Sequence, residues 1–375
     1  MRRDLVIILA AAALLIAWLG WQARPDDSAR TLLQATRLLG EAPENFAQVT
    51  EPRPFVFPAD HAAHPGYRNE WWYFTGNLQG ADERGNSREF GFQFTLFRFE
   101  LDPGPLPDSA WAADAVWMAH LALSDIDNQT FHQSQRFARD ALELAGATAT
   151  RWWLGDWQVL QDSNDFVLSM NAGDFAVQLN LESLRPIVAQ GDSGYSRKGP
   201  EAGNASYYYS LTRLQARGSV AIGAEEIPVA GLAWLDREWG SSQLAEGLSG
   251  WDWFSLQLDD GRDLMVFQLR TADDQASQWS AGKIVHPDGR SRTLERNDFS
   301  LVPQRRWRDA QGHYWPLEWT VDVPQEGLKL KVTPRFDDQR WTGSVSYWEG
   351  AVLVSAADSG KAVGRGYLEL SGYAD

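Results

Sequence analysis

Glu70-Trp71-Trp72-Tyr73-Phe74-Thr75-Gly76-Asn77-Leu78, then a polar turn, then Phe90-Gly91-Phe92-Gln93-Phe94-Thr95-Leu96-Phe97-Arg98: this stretch decides the fold. Its second half alternates, with Phe90, Phe92, Phe94 and Leu96 on one parity, which is the period of a strand with one apolar face. Its first half is aromatic throughout, as in a strand buried on both faces. The link Gly80-Ala81-Asp82-Glu83-Arg84-Gly85-Asn86-Ser87 is rich in turn formers, so the two halves form a hairpin.

The pattern returns at Trp251-Asp252-Trp253-Phe254-Ser255-Leu256-Gln257-Leu258. Trp251 matches Trp71, Trp253 matches Tyr73, Phe254 matches Phe74, and Arg270 closes the second hairpin as Arg98 closes the first. An aromatic hairpin used twice points to duplication, hence two similar β domains. Further short candidate strands, punctuated by Gly, Asp and Asn, fill both halves, while helical patterns are few. The fold class read from this is all-β: two antiparallel β-barrel domains in tandem.

At the other end of the chain, Arg2-Arg3 precedes an apolar run from Leu5 to Trp21. At about 17 residues it reaches the lower limit for crossing a bilayer, and positive residues before such a run mark export. Residues 1–23 therefore read as a signal peptide or membrane anchor in the form of an apolar helix. Residues 24–44 read as a linker with a short helix, 45–240 as the first domain and 241–375 as the second. The expected location is periplasmic or cell-envelope, tethered to the cytoplasmic membrane.

Composition narrows the function. Fifty acidic residues against 34 basic ones give a net charge of −16, which argues against a nucleic-acid partner. The absence of Cys removes disulfides, thiol catalysis and thiolate metal sites. The 19 Trp residues supply enough rings for an apolar ligand cavity as well as two cores. No phosphate loop, dinucleotide fingerprint, zinc-protease helix or nucleophile elbow occurs, and no cofactor or metal is expected.

The richest polar cluster is Trp234-Leu235-Asp236-Arg237-Glu238-Trp239. In a strand, Trp234, Asp236 and Glu238 share one face and Leu235, Arg237 and Trp239 the other. Two carboxylates on one apolar face share a proton or have a raised pKa, as a general acid requires; the competing reading is an Arg–carboxylate pair fastening the domain junction. His120 lies within an apolar strand, Glu70 has Arg98 or Arg68 as candidate partners, and Tyr207-Tyr208-Tyr209 splits its hydroxyls between two faces. These residues and Trp72 are the candidate ligand-binding set, expected inside the first domain. Trp348-Glu349-Gly350 and Gly366-Tyr367-Leu368-Glu369 read as structural strand ends of the second.

Taken together, the segments His64 to Leu78, Phe90 to Arg98, Met118 to Asp125, Asn204 to Leu214, Gly231 to Ser242, Gly250 to Arg270, Tyr347 to Val352 and Gly366 to Tyr373 resemble the AttH-like proteins. These are related to carotenoid 1,2-hydratases and grouped with the lipocalin-like (calycin) folds. The resemblance implies two lipocalin-like barrels. In the hydratase branch it implies an Asp proton donor, which falls on Asp236, with Trp234 standing where a Tyr is expected. In the AttH-like branch it implies an exported lipid-binding protein accessory to an ABC-type permease. The main expectation is that carrier of a hydrophobic, lipid- or isoprenoid-like ligand; the alternative is a hydratase acting on an isoprenoid or carotenoid double bond through Asp236.

Overall fold

The computed structural model describes residues 45–101, 109, 111–242 and 244–374. The expected N-terminal anchor and linker helix lie outside them. Among the described residues no helix is long and apolar enough to cross a membrane.

Residues 69–240 form one antiparallel sheet. Its strands are β1 (Asn69–Ala81), β2 (Ser87–Glu100), β3 (Ala115–Asp125), β4 (Thr130–Arg139), β5 (Ala145–Ala147), β6 (Arg151–Leu154), β7 (Trp157–Asp162), β8 (Asp165–Asn171), β9 (Phe175–Ser183), β10 (Val188–Ala189), β11 (Tyr195–Arg197), β12 (Ala205–Ile222) and β13 (Glu225–Gly240). The order is β4-β3-β2-β1-β13-β12-β9-β8-β7-β6-β5, with β10 and β11 beside β12. The sheet curls until β4 packs against β6, giving a near-closed barrel.

Residues 248–371 form the second sheet. Its strands are β14 (Leu248–Leu258), β15 (Asp263–Thr271), β16 (Ala281–Val285), β17 (Ser291–Leu294), β18 (Ser300–Arg308), β19 (Tyr314–Val323), β20 (Leu328–Pro334), β21 (Arg340–Thr342), β22 (Ser346–Ala356) and β23 (Ala362–Ser371). The order is β17-β16-β15-β14-β23-β22-β20-β19-β18, with β21 beside β22. This corrects the expectation of two closed barrels. With fewer strands, and β17 and β18 unpaired with each other, the second sheet stays a curled half-barrel.

The two aromatic hairpins hold the same place in their sheets. β1 lies between β2 and the last strand β13, as β14 lies between β15 and the last strand β23. Tyr73 sits opposite Asp236, and Trp253 opposite Glu369. Strand parity explains the aromatic run of β1. Trp72 and Phe74 point into the first barrel, with Phe90, Phe92, Phe94 and Leu96 of β2. Tyr73, with Tyr208 and Trp234, points out and meets Trp253 and Phe267 of the second domain.

The domains are also clasped by polar groups. A bulge in β12 between Leu211 and Leu214 breaks its pairing with β13, and Thr212 and Arg213 there reach buried Asp263 at 2.8 and 2.6 Å. Arg185 reaches the same carboxylate at 2.6 Å. The Gln257 amide donates to the Thr212 and Ala233 carbonyls, and the Asn77 amide donates to Gly366.

Candidate functional site

A cavity of about 140 Å³ lies between the domains. Trp71 and Tyr73 line it from the first domain; Trp251 and Trp253, their counterparts, line it from the second. Asp236, Glu238 and Tyr208 face it from one side, and Tyr347, Glu349 and Glu369 from the other. The sequence led to a site inside the first domain; the structure puts it on that barrel's outer face. Alternation separates the two faces of β13 but does not say which one meets a neighbouring domain.

Asp236 is 2% exposed. Its Oδ1 accepts from Ser210 at 2.5 Å and from Trp234 Nε1 at 2.7 Å, and its Oδ2 accepts from the Tyr208 hydroxyl at 2.5 Å. Trp253 Nε1 donates in turn to Tyr208 at 3.3 Å. All these donors are neutral, and Asp236 forms no ion pair among the described residues. Burial pushes its pKa up from 3.8 to about 7, outweighing the three donors, which favour the charged form; the Glu238 charge pushes the same way. The carboxyl is thus poised to hold or release a proton near neutrality. Trp234, in the place expected of a Tyr, supplies the same kind of neutral donor.

Glu238 differs. Lys198 pairs with it at 3.0 Å and Ser206 donates to it. The Lys198 ammonium also sits 4.4 Å from the Phe267 ring centroid, bringing a cation to the cavity wall.

His120 lines the cavity but does not touch Asp236. Its Nδ1 bonds the Tyr347 hydroxyl at 2.6 Å, and its Nε2 faces the Gln135 amide nitrogen at 2.7 Å, a contact that assigns the ring proton to Nδ1. Burial lowers its pKa to about 3, so it is neutral and polarises Tyr347.

The remaining sequence candidates lie elsewhere. Trp72 is in the barrel core, its indole N–H bonded to the His61 carbonyl at 3.0 Å. Tyr209 bonds His61 Nδ1 at 2.6 Å, and Tyr207 donates to the Glu51 carbonyl at 3.1 Å. Their parity turns both inward, away from Tyr208. Glu70 is fully buried against Arg237 at 2.6 Å and Arg98 at 3.4 Å. Burial would raise its pKa, but Arg237 and the other donors outweigh it and hold it near 2. The Arg–carboxylate fastening is therefore real, but it belongs to Glu70 and Arg237.

Two acids escaped the reading of the sequence. Glu349 and Glu369 are directly opposed on β22 and β23, and both face the cavity. The signal was available: extending the match of the two hairpins to the strands beside them sets Glu369 against Asp236 and Tyr347 against Tyr208. Among the described residues no cluster of side chains could hold a metal ion.

The AttH-like family model matches residues 48–373. The chain belongs to the AttH-like family. A solved AttH structure from Nitrosomonas europaea is 37% identical, covers 88% of this chain and 100% of its own, and superposes with a TM-score of 0.78. Kievitone hydratase from Nectria haematococca shares the fold at 15% identity, covering 89% of this chain and 98% of its own, with a TM-score of 0.60. The dehydratase asqC of Emericella nidulans is 27% identical over 146 residues, 37% of this chain and 41% of that protein, so the chain spans less than half of that relative.

These findings overturn the expectation of a carrier serving an ABC-type permease. The relatives whose names state an activity are a hydratase and a dehydratase.

Proposed function

We propose that this AttH-like protein is a hydro-lyase: it adds water to, or removes it from, a carbon–carbon double bond of an apolar, isoprenoid-like substrate held between its two domains. The observation that carries the reading is Asp236, buried on the cavity wall among neutral donors and, among the described residues, paired with no cation. The activities named for two relatives support it.

In the hydration direction, protonated Asp236 gives its proton to one alkene carbon. The π bond breaks and a cation develops on the other carbon. The rings of Trp71, Tyr73 and Trp253 line the same space, and attraction between such a cation and an aromatic face is worth about 2 kcal/mol when desolvated. Water then adds to the cation. The Tyr208 and Trp253 N–H and O–H chain fixes the Asp236 carboxyl toward one region of the cavity. In the dehydration direction the same carboxylate takes the proton from carbon.

The test is Asp236→Asn, assayed by mass spectrometry for gain or loss of water with kievitone and with an acyclic carotenoid as probes. A general acid contributes roughly 10²–10⁴-fold, so the variant should lose turnover by that factor while keeping wild-type circular dichroism. A folded variant that turns over at the wild-type rate removes Asp236 from the chemistry.

A further inference from the structure

Glu349 and Glu369 are cross-strand partners on the second domain's wall of the cavity. Directly opposed carboxylates repel, and strands avoid them unless one carries a proton. Neither forms an ion pair among the described residues. Glu349 is 3% exposed, and its Oε1 has no hydrogen-bond partner. Glu369 accepts from Trp251 Nε1 at 2.9 Å and keeps part of its surface open to the cavity. Tyr73 is 5% exposed, and its buried hydroxyl lies beside Glu349 and Glu369 without completing a hydrogen bond of good geometry.

These facts give a buried acid on the cavity wall, one of whose oxygens lacks a hydrogen-bond partner. They also give a second acid beside it that meets the cavity directly, and a third, Asp236, on the other domain. Hydration needs two proton transfers: one to carbon, and one away from the water that adds. Asp236 serves the first. We infer that Glu349 and Glu369 hold a single proton between them and serve as the second proton-exchanging group of the cavity, the base for water. This rests on the hydro-lyase reading for its chemical role, while the single proton of the pair and its exchange with the cavity rest on the cross-strand register, the burial and the cavity lining of the two acids.

The step balances. As the water oxygen bonds to the cationic carbon, one of its O–H bonds breaks and that proton passes to the carboxylate member of the pair. Asp236 ends ionised and the pair ends doubly protonated; proton return through cavity water restores both. In dehydration, the pair protonates the leaving hydroxyl and Asp236 takes the proton from carbon.

The groups around the pair agree with this. Burial, then mutual repulsion with Glu369, keeps Glu349 well above the usual carboxyl range. Burial, with Asp236 and Glu238 adding repulsion, pushes Glu369 to about 7. Tyr73, Tyr347 and Tyr367 stay protonated, His120 stays neutral, and Lys198 is committed to Glu238.

Infrared spectroscopy of the full chain tests this without a substrate, through the carbonyl stretch of protonated carboxyl groups at pH 9. Wild type and Asp236→Asn should both show a band, and the Glu349→Gln/Glu369→Gln double variant should lose it. On transfer to D₂O the band should shift within the mixing time, because a cavity-facing pair exchanges freely, whereas a sealed structural pair waits for local unfolding. If the double variant fails to fold, either single Gln variant, which breaks the sharing, should move or abolish the band. A wild-type spectrum with no band at pH 9, a band that survives the double substitution, or exchange over hours overturns the inference. Absence of turnover with kievitone or carotenoid would count against the hydro-lyase reading and leave these spectral outcomes decisive for the pair.

Discussion

Asp236 and Arg237 are neighbours on β13, equally buried, and have opposite fates. Arg237 points into the barrel, stacks on Trp72 at 3.8 Å and meets Glu70 at 2.6 Å. Every charge there has a counter-charge, and Glu70 titrates low. Asp236 points out, meets only neutral donors and titrates high. The two faces of one strand thus separate a charge cluster that holds the structure from an acid free to exchange a proton. Burial alone does not distinguish them; the partner does.

The largest effect should come from breaking the saturated face. Glu70→Ala leaves Arg237 and Arg98 buried without their shared counter-charge, a loss of about 3–5 kcal/mol, read by urea unfolding at neutral pH. A loss below about 1 kcal/mol would erase the contrast between the two faces.

The unsaturated face should respond with the opposite sign. Asp236 titrates at 3.8 ordinarily and at about 7 in the fold. A raised carboxyl contributes stability that is full below the lower value and is lost as pH rises through the upper one. Asp236→Asn has no such dependence. Relative to wild type it should therefore gain on the order of 1 kcal/mol per pH unit between those two values and level off above pH 7. Thermal melts across that range measure it; a difference that is flat with pH would mean that Asp236 has an unseen partner.

The smallest effect sharpens the comparison within the site. The Tyr208 hydroxyl favours the ionised form of Asp236. Tyr208→Phe should raise the pKa of that acid by roughly one unit, moving the alkaline limb of the pH–rate profile upward. An unchanged limb would assign the limb to another group.

Much of the fold could be read in advance because two periodicities coincide. The alternation Phe90, Phe92, Phe94, Leu96 defines an inner face, and the shared order of Trp71/Tyr73 and Trp251/Trp253 marks two domains of one plan. The site was half legible. Asp236, Glu238, His120 and Tyr208 do border one cavity, but Tyr207, Tyr209, Glu70 and Trp72 belong to the barrel interior. Neighbouring strand residues look alike in sequence and differ by which domain they face. Glu349 and Glu369 were passed over as strand ends because each stands alone among apolar neighbours; only the pairing of β22 with β23 sets them side by side.

The clasp around Asp263 bears on how anything reaches the acids. Enzymes with a cleft between domains commonly admit substrate by swinging the domains apart. Here Arg185, Arg213, Thr212, Gln257 and Asn77 tie the two domains together. The lining rings that are only half-buried are Trp71, Phe97 and Phe99 on the first domain and Trp251, the counterpart of Trp71, on the second. Trp251 is tethered through its indole N–H to Glu369. One half-buried ring of the lining is in this way tied to a cavity acid, and because an ionised carboxylate accepts more strongly than a protonated one, the charge on Glu369 sets how firmly that ring is held.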